Sequence, residues 1–170
     1  MSKACTRIKD IEHADILIDR ALFEKRIYRG NALFGLYVQT RALTKVHAVL
    51  DQHPQQDLVS RNTLIAGYGR KGDGKGALGC LERLRHYGFL PDAVTLVCSL
   101  KACGIVGSME IGEVIDADIR KNGLFPKDIM VGNALIDMYS KCGAPGKAQD
   151  VFNQLPYRDV VSWNVLIAGY

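Results

Sequence analysis

The fold of this chain is decided by the stretch 132–170, which reads GNALIDMYSKCGAPGKAQDVFNQLPYRDVVSWNVLIAGY. Much of this sequence also occurs earlier in the chain, always displaced by the same number of residues. The same 102 residues separate Asn31 from Asn133 and Asp57 from Asp159. A gapless correspondence over such a length does not arise by chance. The chain therefore contains an internal repeat, and a repeat decides the architecture before any single motif does.

A shorter period lies inside this offset. Similar phrases open four successive blocks of about 31 to 36 residues, and these phrases are Asn31-Ala-Leu, Asn62-Thr-Leu-Ile, Cys98-Ser-Leu and Asn133-Ala-Leu-Ile. Each block contains two apolar stripes at helical spacing, separated by a glycine-containing turn. One such hairpin cannot bury its own apolar face, so neighbours must share a core. We predict an all-α fold, a right-handed superhelical α-solenoid of helix–turn–helix hairpins.

Local signals indicate where the helices begin and end. Asp73 is expected to cap the second helix of its block, and Gly88 to end that helix in a left-handed conformation. Pro91 then separates this block from the next. In the following block we expect a helix over about 94–102 and a turn over 104–108, and in the last block a turn over 141–146.

Composition restricts the class of protein without naming one. The 170 residues are 48% apolar and 24% charged, as in ordinary globular domains, and no apolar run approaches the roughly 18 residues of a membrane span. The first twenty residues carry four acidic side chains, so no targeting peptide is expected there. The net charge of +4 permits a polyanionic partner but does not demand one.

Cysteine and histidine spacing argues against a metal site or catalysis. Five cysteines at irregular spacing favour free, mostly buried thiols. Cys98 and Cys103 have no accompanying pair of further ligands, so we expect neither a metal nor any other cofactor. Neither H-x-E nor C-x-x-C occurs, which leaves the deaminase signature absent. The chain is not expected to be an enzyme.

The repeated motifs resemble those of the plant pentatricopeptide repeat family. The resemblance rests on GNALIDMYSKCG, on A-x2-VF-x2-LP-x-RDVVSWN-x-LIAGY and on the phrase Gly88-Phe-Leu-Pro-Asp92. More narrowly, the alternating lengths resemble the subgroup built from standard, long and short motifs. The implied units are a partial long unit 1–26, a short unit 27–57, a standard unit 58–92, a long unit 93–128, a short unit 129–159 and the start of another at 160–170. The chain therefore looks like a fragment of a longer array.

This resemblance implies sequence-specific binding of single-stranded RNA, in which each unit reads one base. In the family two side chains read the base, one early in the first helix and one at the end of the unit. The implied reader residues are Asn31 with Asp57, Asn62 with Asp92, Val97 with Asp128, Asn133 with Asp159, and Asn164 at the start of a further unit. An Asn/Asp pair resembles a uracil reader, so the expected ligand contains 5′-U-U-N-U-3′.

The resemblance also implies residues that hold the base and its phosphate. The apolar residues expected to sandwich bases are Tyr28, Val59, Val94, Met130 and Val161. Arg70 and Lys141 stand at matching places and are expected near phosphates. Family membership further implies a mitochondrial or chloroplast location, a role in RNA processing or editing, and other proteins of those pathways as partners.

Several alternatives stay open from the sequence. Asp57 and Asp159 suit an N-cap of the following helix as well as a reader role. The recurring tyrosines are expected to pack in the core, namely Tyr37, Tyr68 and Tyr139. Trp163 is expected to contact a neighbouring repeat. A protein-binding scaffold of tetratricopeptide type, or a structural spacer in a larger RNA-processing protein, remains the alternative to RNA binding.

Overall fold

The structure is a computed structural model that describes the backbone of residues 58–170 and the side chains of residues 61–170. Within this part the chain forms seven α-helices and no strand. They are α1 (Leu58–Lys71), α2 (Gly74–His86), α3 (Ala93–Val106), α4 (Met109–Lys121), α5 (Ile129–Lys141), α6 (Pro145–Gln154) and α7 (Val160–Ala168). The predicted all-α fold is confirmed. The predicted units 1–26 and 27–57, with Tyr28, Asn31, Tyr37 and Asp57, lie outside the described residues.

The helix ends follow the predicted signals with one exception. Asp73 caps α2 by accepting a hydrogen bond of 2.9 Å from the backbone nitrogen of Gly76. Gly88, just beyond α2, has a φ of 78°, as predicted for a left-handed residue after a helix. The exception is α3, which was expected to end near residue 102 but continues to Val106. Gly107, at φ 73°, makes the left-handed end instead, and a glycine within α3 does not interrupt it.

The hairpins stack through their first helices. The helices α1, α3, α5 and α7 contact one another in order and form one continuous layer, and α2 and α6 each pack on the first helix of their own hairpin. Successive second helices are joined by polar side chains, as in the 2.6 Å ion pair of Arg85 with Asp118 and the pair of Lys147 with Glu113. Exposed ion pairs of this kind contribute little stability. The layer of first helices, together with the packing of α2 against α3, therefore holds the stack together.

One hydrophobic core runs through all the described hairpins. Its fully buried large side chains come from every helix of α1 to α5, and they are Ile65, Leu81, Leu96, Leu100, Ile115, Ile119, Leu135 and Ile136. Tyr68 and Tyr139 are buried in the same core, which confirms their predicted packing role. A core shared between neighbouring hairpins is what the repeat predicted.

The four cysteines among residues 61–170 are all free thiols. Cys80 and Cys103 are buried, and Cys98 and Cys142 are partly buried. This confirms the expected free and mostly buried thiols for the described part of the chain. In the same part, no helix combines the length and the apolar character that crossing a membrane requires.

Candidate nucleic-acid interface

The first predicted reader pair, Asn62 and Asp92, is joined by direct hydrogen bonds. Asn62 lies on α1, and Asp92 is the N-cap of α3, where it accepts a 2.8 Å hydrogen bond from the backbone nitrogen of Thr95. The Nδ2 atom of Asn62 donates to both carboxylate oxygens of Asp92, each at 3.1 Å. Only 9% of the Asn62 surface is exposed. The pair is therefore a fixed polar group at the junction of two hairpins.

Thr95 completes the hydrogen bonding of this pair. Its hydroxyl donates to Oδ1 of Asn62, and its Oγ1 atom also lies 2.8 Å from Oδ1 of Asp92. The amide of Asn62 thus uses its donor on Asp92 and its acceptor on Thr95. No hydrogen-bonding group of this amide is left without a protein partner.

Asp92 is held in its ionised form. Burial opposes ionisation, but the hydrogen bonds from the Thr95 backbone, the Thr95 hydroxyl and Asn62 outweigh it, so the pKa of Asp92 lies below its ordinary value of 3.8. At neutral pH the carboxylate only accepts hydrogen bonds. It therefore orients the Asn62 amide with the nitrogen toward Asp92.

The second pair, Asn133 and Asp159, is built on the same plan but is looser. Nδ2 of Asn133 approaches Oδ1 of Asp159 at 3.5 Å. Asp159 is also the N-cap of α7 and accepts from the backbone nitrogen of Ser162 at 2.7 Å and from its hydroxyl at 2.9 Å. Those bonds from Ser162 hold the pKa of Asp159 below its ordinary value of 3.8. The N-cap role and the position beside the asparagine are thus compatible.

Oδ1 of Asn133 is the notable atom of this second pair. It is buried and has no hydrogen-bond partner among residues 61–170. The corresponding oxygen of Asn62 accepts from Thr95. The two pairs have the same two residue types, but the amide oxygen is paired in Asn62 and unpaired in Asn133.

The other predicted reader positions are not joined into polar pairs. Val97 lies in the core of α3, and Asp128 caps α5 by accepting from the backbone nitrogens of Met130 and Val131 at 2.8 and 3.4 Å. Asn164 is exposed on α7. Valine has no polar side-chain atom, so Val97 and Asp128 form no hydrogen-bonded pair.

Three of the predicted base-sandwiching residues occupy one repeated place. Val94, Met130 and Val161 are each the second residue of a first helix, namely α3, α5 and α7. Their exposed fractions are 57%, 66% and 53%, which is high for large apolar side chains. Each lies two residues after the aspartate that caps its helix. The beginnings of these first helices therefore repeat the same arrangement of one acidic and one exposed apolar side chain. The side chain of Val59 lies outside the described residues.

Comparison with known proteins identifies the array. The PPR repeat family model matches residues 59–89 and 133–160. Pentatricopeptide repeat-containing protein At5g16860 of Arabidopsis thaliana is 35% identical over 172 residues, covering 99% of this chain. The chain belongs to the pentatricopeptide repeat family. A second Arabidopsis relative, the chloroplastic pentatricopeptide repeat-containing protein At4g25270, is also 35% identical, and the match covers 99% of this chain.

The chain spans only a part of the length of the relatives it matches. The chain spans 20% of the length of At5g16860 and 33% of that of At4g25270. A third Arabidopsis pentatricopeptide repeat protein, At4g19191, is named mitochondrial. It is 37% identical over 140 residues, which cover 82% of this chain and 21% of the relative. These names place relatives in both organelles.

The two predicted phosphate residues end first helices at matching places. Arg70 is exposed in the last turn of α1, and Lys141 is exposed at the end of α5. Nζ of Lys141 forms a 2.7 Å ion pair with Asp137, one turn earlier. The lysine charge is therefore partly offset within its own helix.

Trp163 makes the contact between repeats that the sequence predicted. Its ring meets that of Phe152 edge to face, with centroids 4.7 Å apart, and so joins α7 to α6. In the earlier copy Arg61 takes the corresponding place, and its guanidinium lies 4.7 Å from the centroid of the Tyr87 ring. Trp163 thus packs on an aromatic ring of the preceding hairpin, whereas Arg61 packs on one that follows the second helix of its own hairpin.

Sequence reasoning missed Thr95 as part of the site. Thr95 and Ser162 each stand three residues after a capping aspartate, in the pattern D-x-x-[ST]. This pattern is a signal for an N-terminal cap. It does not reveal which of the two hydroxyls turns toward the asparagine of the preceding hairpin.

Proposed function

We propose that this chain binds single-stranded RNA with one repeat unit for each base, and that Asn62/Asp92 and Asn133/Asp159 select uracil. The observation that carries the proposal is the contact within both pairs. In each pair an amide faces a carboxylate that also caps the next helix. An oriented hydrogen-bonding group thus recurs at two hairpin junctions, with the Val97/Asp128 position between them, as readers of individual bases require.

The chemistry of the amide suits uracil. An ionised aspartate attracts the Nδ2 group, so the amide oxygen is directed elsewhere as an acceptor. Uracil presents an N3–H donor between two carbonyl acceptors, whereas cytosine has an acceptor at N3. An amide oxygen that faces this edge favours uracil. With cytosine, the amide oxygen and N3 of the base would both be acceptors and could form no hydrogen bond.

The exposed apolar row supports the same proposal. Val94, Met130 and Val161 are placed to contact base faces beside the reader positions. Aromatic stacking contributes about 1–3 kcal/mol per base, and aliphatic contacts contribute less. Arg70 and Lys141 are proposed to lie near phosphates, which adds a salt-dependent attraction. Because each unit contributes little, affinity grows with the number of units.

We further propose that the chain is a non-catalytic specificity module for RNA processing or editing in an organelle. The chloroplastic and mitochondrial names of relatives support the location. The RNA-processing chemistry would come from other segments or partner proteins.

Fluorescence anisotropy with short RNAs tests the proposal. One RNA carries U-U-N-U, a second replaces each of these uracils by adenine or guanine, and a DNA analogue of the first is run beside them. We expect a several-fold preference for the uracil RNA that is lost in the double variant Asn62→Ala/Asn133→Ala. Asn153→Ala, which removes an exposed asparagine on α6, is the matched control and should keep the preference.

Other results would favour the alternatives. Equal, salt-sensitive binding to all three nucleic acids would indicate only a basic surface and would overturn base reading. A helical, folded sample that binds none of them would favour a protein-binding scaffold or a structural spacer. Circular dichroism on every variant establishes that the compared samples are folded.

A further inference from the structure

We propose that Thr95 determines how strongly the Asn62/Asp92 pair discriminates between bases, and makes it a weaker uracil reader than Asn133/Asp159. This inference rests on the proposed RNA-reading function. It concerns a residue that lies outside both reader pairs and that acts by positioning Asn62. The two pairs consist of the same residue types, so any difference between them must come from their surroundings.

At the first pair the acceptor is occupied. Thr95 is fully buried, and its hydroxyl donates to Oδ1 of Asn62. The same hydroxyl lies 2.8 Å from Oδ1 of Asp92. A hydroxyl has one proton, so it serves one of these two acceptors at a time. A base that approaches Asn62 must therefore displace Thr95, whose proton then turns to Asp92.

At the second pair the acceptor is unpaired. Ser162 occupies the place of Thr95, three residues after the capping aspartate, but its hydroxyl donates to Asp159 and accepts from the Asp159 backbone nitrogen. This reciprocal capping box keeps the hydroxyl away from the preceding hairpin. Oδ1 of Asn133 consequently remains buried without a partner. A base reaches this oxygen only when the atoms that cover it move aside, and its N3–H group then satisfies an acceptor that is otherwise unpaired.

The two situations differ in the net gain on binding uracil. At Asn62 one hydrogen bond is exchanged for another, and such an exchange contributes little. At Asn133 a hydrogen bond is added to a buried acceptor, which removes the penalty for leaving it unpaired. We expect the uracil-to-cytosine affinity ratio to be about three- to tenfold larger at the base opposite Asn133.

Substitution of Thr95 by valine tests this difference. Valine has nearly the same shape without the hydroxyl, and it retains the backbone N–H that bonds to Asp92. RNAs with a single uracil-to-cytosine change at each site give the ratio for each base, and Asn62→Ala and Asn133→Ala show which base faces which pair. Thr95→Val should raise the ratio opposite Asn62 by about three- to tenfold and leave the ratio opposite Asn133 unchanged.

Three further variants separate positioning from a merely structural role. Thr95→Ser keeps the hydroxyl and should retain the wild-type ratio. Thr95→Ala also removes the hydroxyl, and the uracil-to-cytosine ratio can be measured in this variant if the valine variant does not fold. Ser162→Ala removes a capping hydroxyl and should lower stability without changing the ratio opposite Asn133 by more than about twofold.

The outcomes distinguish this inference from the function on which it rests. If the wild-type chain prefers uracil but neither Thr95→Val nor Thr95→Ala raises the ratio opposite Asn62, the role of Thr95 is refuted and RNA reading stands. If the wild-type chain has no base preference, both proposals are overturned. The role of Thr95 is supported if the uracil-to-cytosine ratio opposite Asn62 rises in Thr95→Val and Thr95→Ala but not in Thr95→Ser.

Discussion

Tyr139 donates a 2.8 Å hydrogen bond to Oδ2 of Asp116 and so joins α5 to a buried carboxylate on α4. Only 8% of Asp116 is exposed, and its other oxygen accepts a 2.8 Å bond from Nε of Arg120. Burial, and then the bond to Asp116, raise the pKa of Tyr139 above its ordinary value of 10.0. The phenol therefore remains a donor throughout the neutral range, and the two hairpins share a satisfied polar contact inside the core.

Tyr139→Phe is expected to destabilise the chain by about 1–2 kcal/mol, because the ring stays packed while Asp116 loses a donor inside the core. Urea unfolding followed by circular dichroism measures the change. Tyr157→Phe removes the hydroxyl of a largely exposed tyrosine and should alter stability by no more than about 0.5 kcal/mol. Equal effects of the two substitutions would contradict a structural role for the Tyr139–Asp116 bond.

Two glycines on α2 are expected to respond in opposite directions to alanine. A Cβ atom at Gly74 would lie 2.7 Å from the carbonyl oxygen of Ala102 and 2.5 Å from Cγ2 of Val106, so Gly74→Ala should cost about 1–3 kcal/mol. A Cβ at Gly79 meets no atom of residues 61–170 within 4 Å, and Gly79→Ala should gain up to about 1 kcal/mol of helix stability. Thermal unfolding of both variants checks the signs. A gain at Gly74 would show that α2 and α3 are not closely packed there.

The capping aspartates predict a loss of stability in acid. The pKa values of Asp92 and Asp159 lie below 3.8 in the folded chain, so their ionised hydrogen bonds stabilise it above that pH. This contribution is lost as the pH falls through the folded-state values. Urea midpoints at pH 7, 5, 4 and 3 should show that Asp92→Asn loses less stability below about pH 4 than the wild type does. If the difference in stability between the wild type and Asp92→Asn stayed constant over this pH range, the lowered pKa of Asp92 would be contradicted.

The thiols should react in the order of their exposure. Cys103 is fully buried, and burial raises its pKa from 9.0 to about 11, which leaves about 0.1% thiolate at pH 8. We expect iodoacetamide to modify the partly buried Cys142 in the folded chain and to reach Cys103 only after unfolding. Peptide mass spectrometry before and after addition of urea gives the order. Modification of Cys103 as fast as Cys142 in the folded state would contradict the packing of α3.

Much of the fold was predictable because its signals are local. The cap at Asp73, the left-handed Gly88 and the buried Tyr68 follow from residue type and helical spacing, which act within one hairpin. The end of α3 was predicted too early, because the sequence contains both Gly104 and Gly107 as candidate stops. Contacts with α5 cover Gly104, where Lys141 packs close by, and only Gly107 takes a positive φ.

The candidate site was predictable in its positions but not in its hydrogen bonds. The register of the repeat placed Asn62 and Asp92 about one unit apart, and the structure shows them in contact. Nothing local distinguishes Asn62 from Asn133. Their difference depends on whether the hydroxyl of the next hairpin turns toward the asparagine or closes a capping box on its own helix.

The sequence by itself determined that this chain is an array of helical hairpins and where its repeated polar positions fall, because period and helix signals are properties of neighbouring residues. The tertiary structure alone decided that Asp116 is a buried junction between two hairpins and that Asn133, unlike Asn62, has an unpaired acceptor. Both features depend on how closely helices from different hairpins approach and on which side-chain rotamers that approach permits. Residues about 30 positions apart meet only when the hairpins stack, and no local signal encodes the direction of a hydroxyl across that junction.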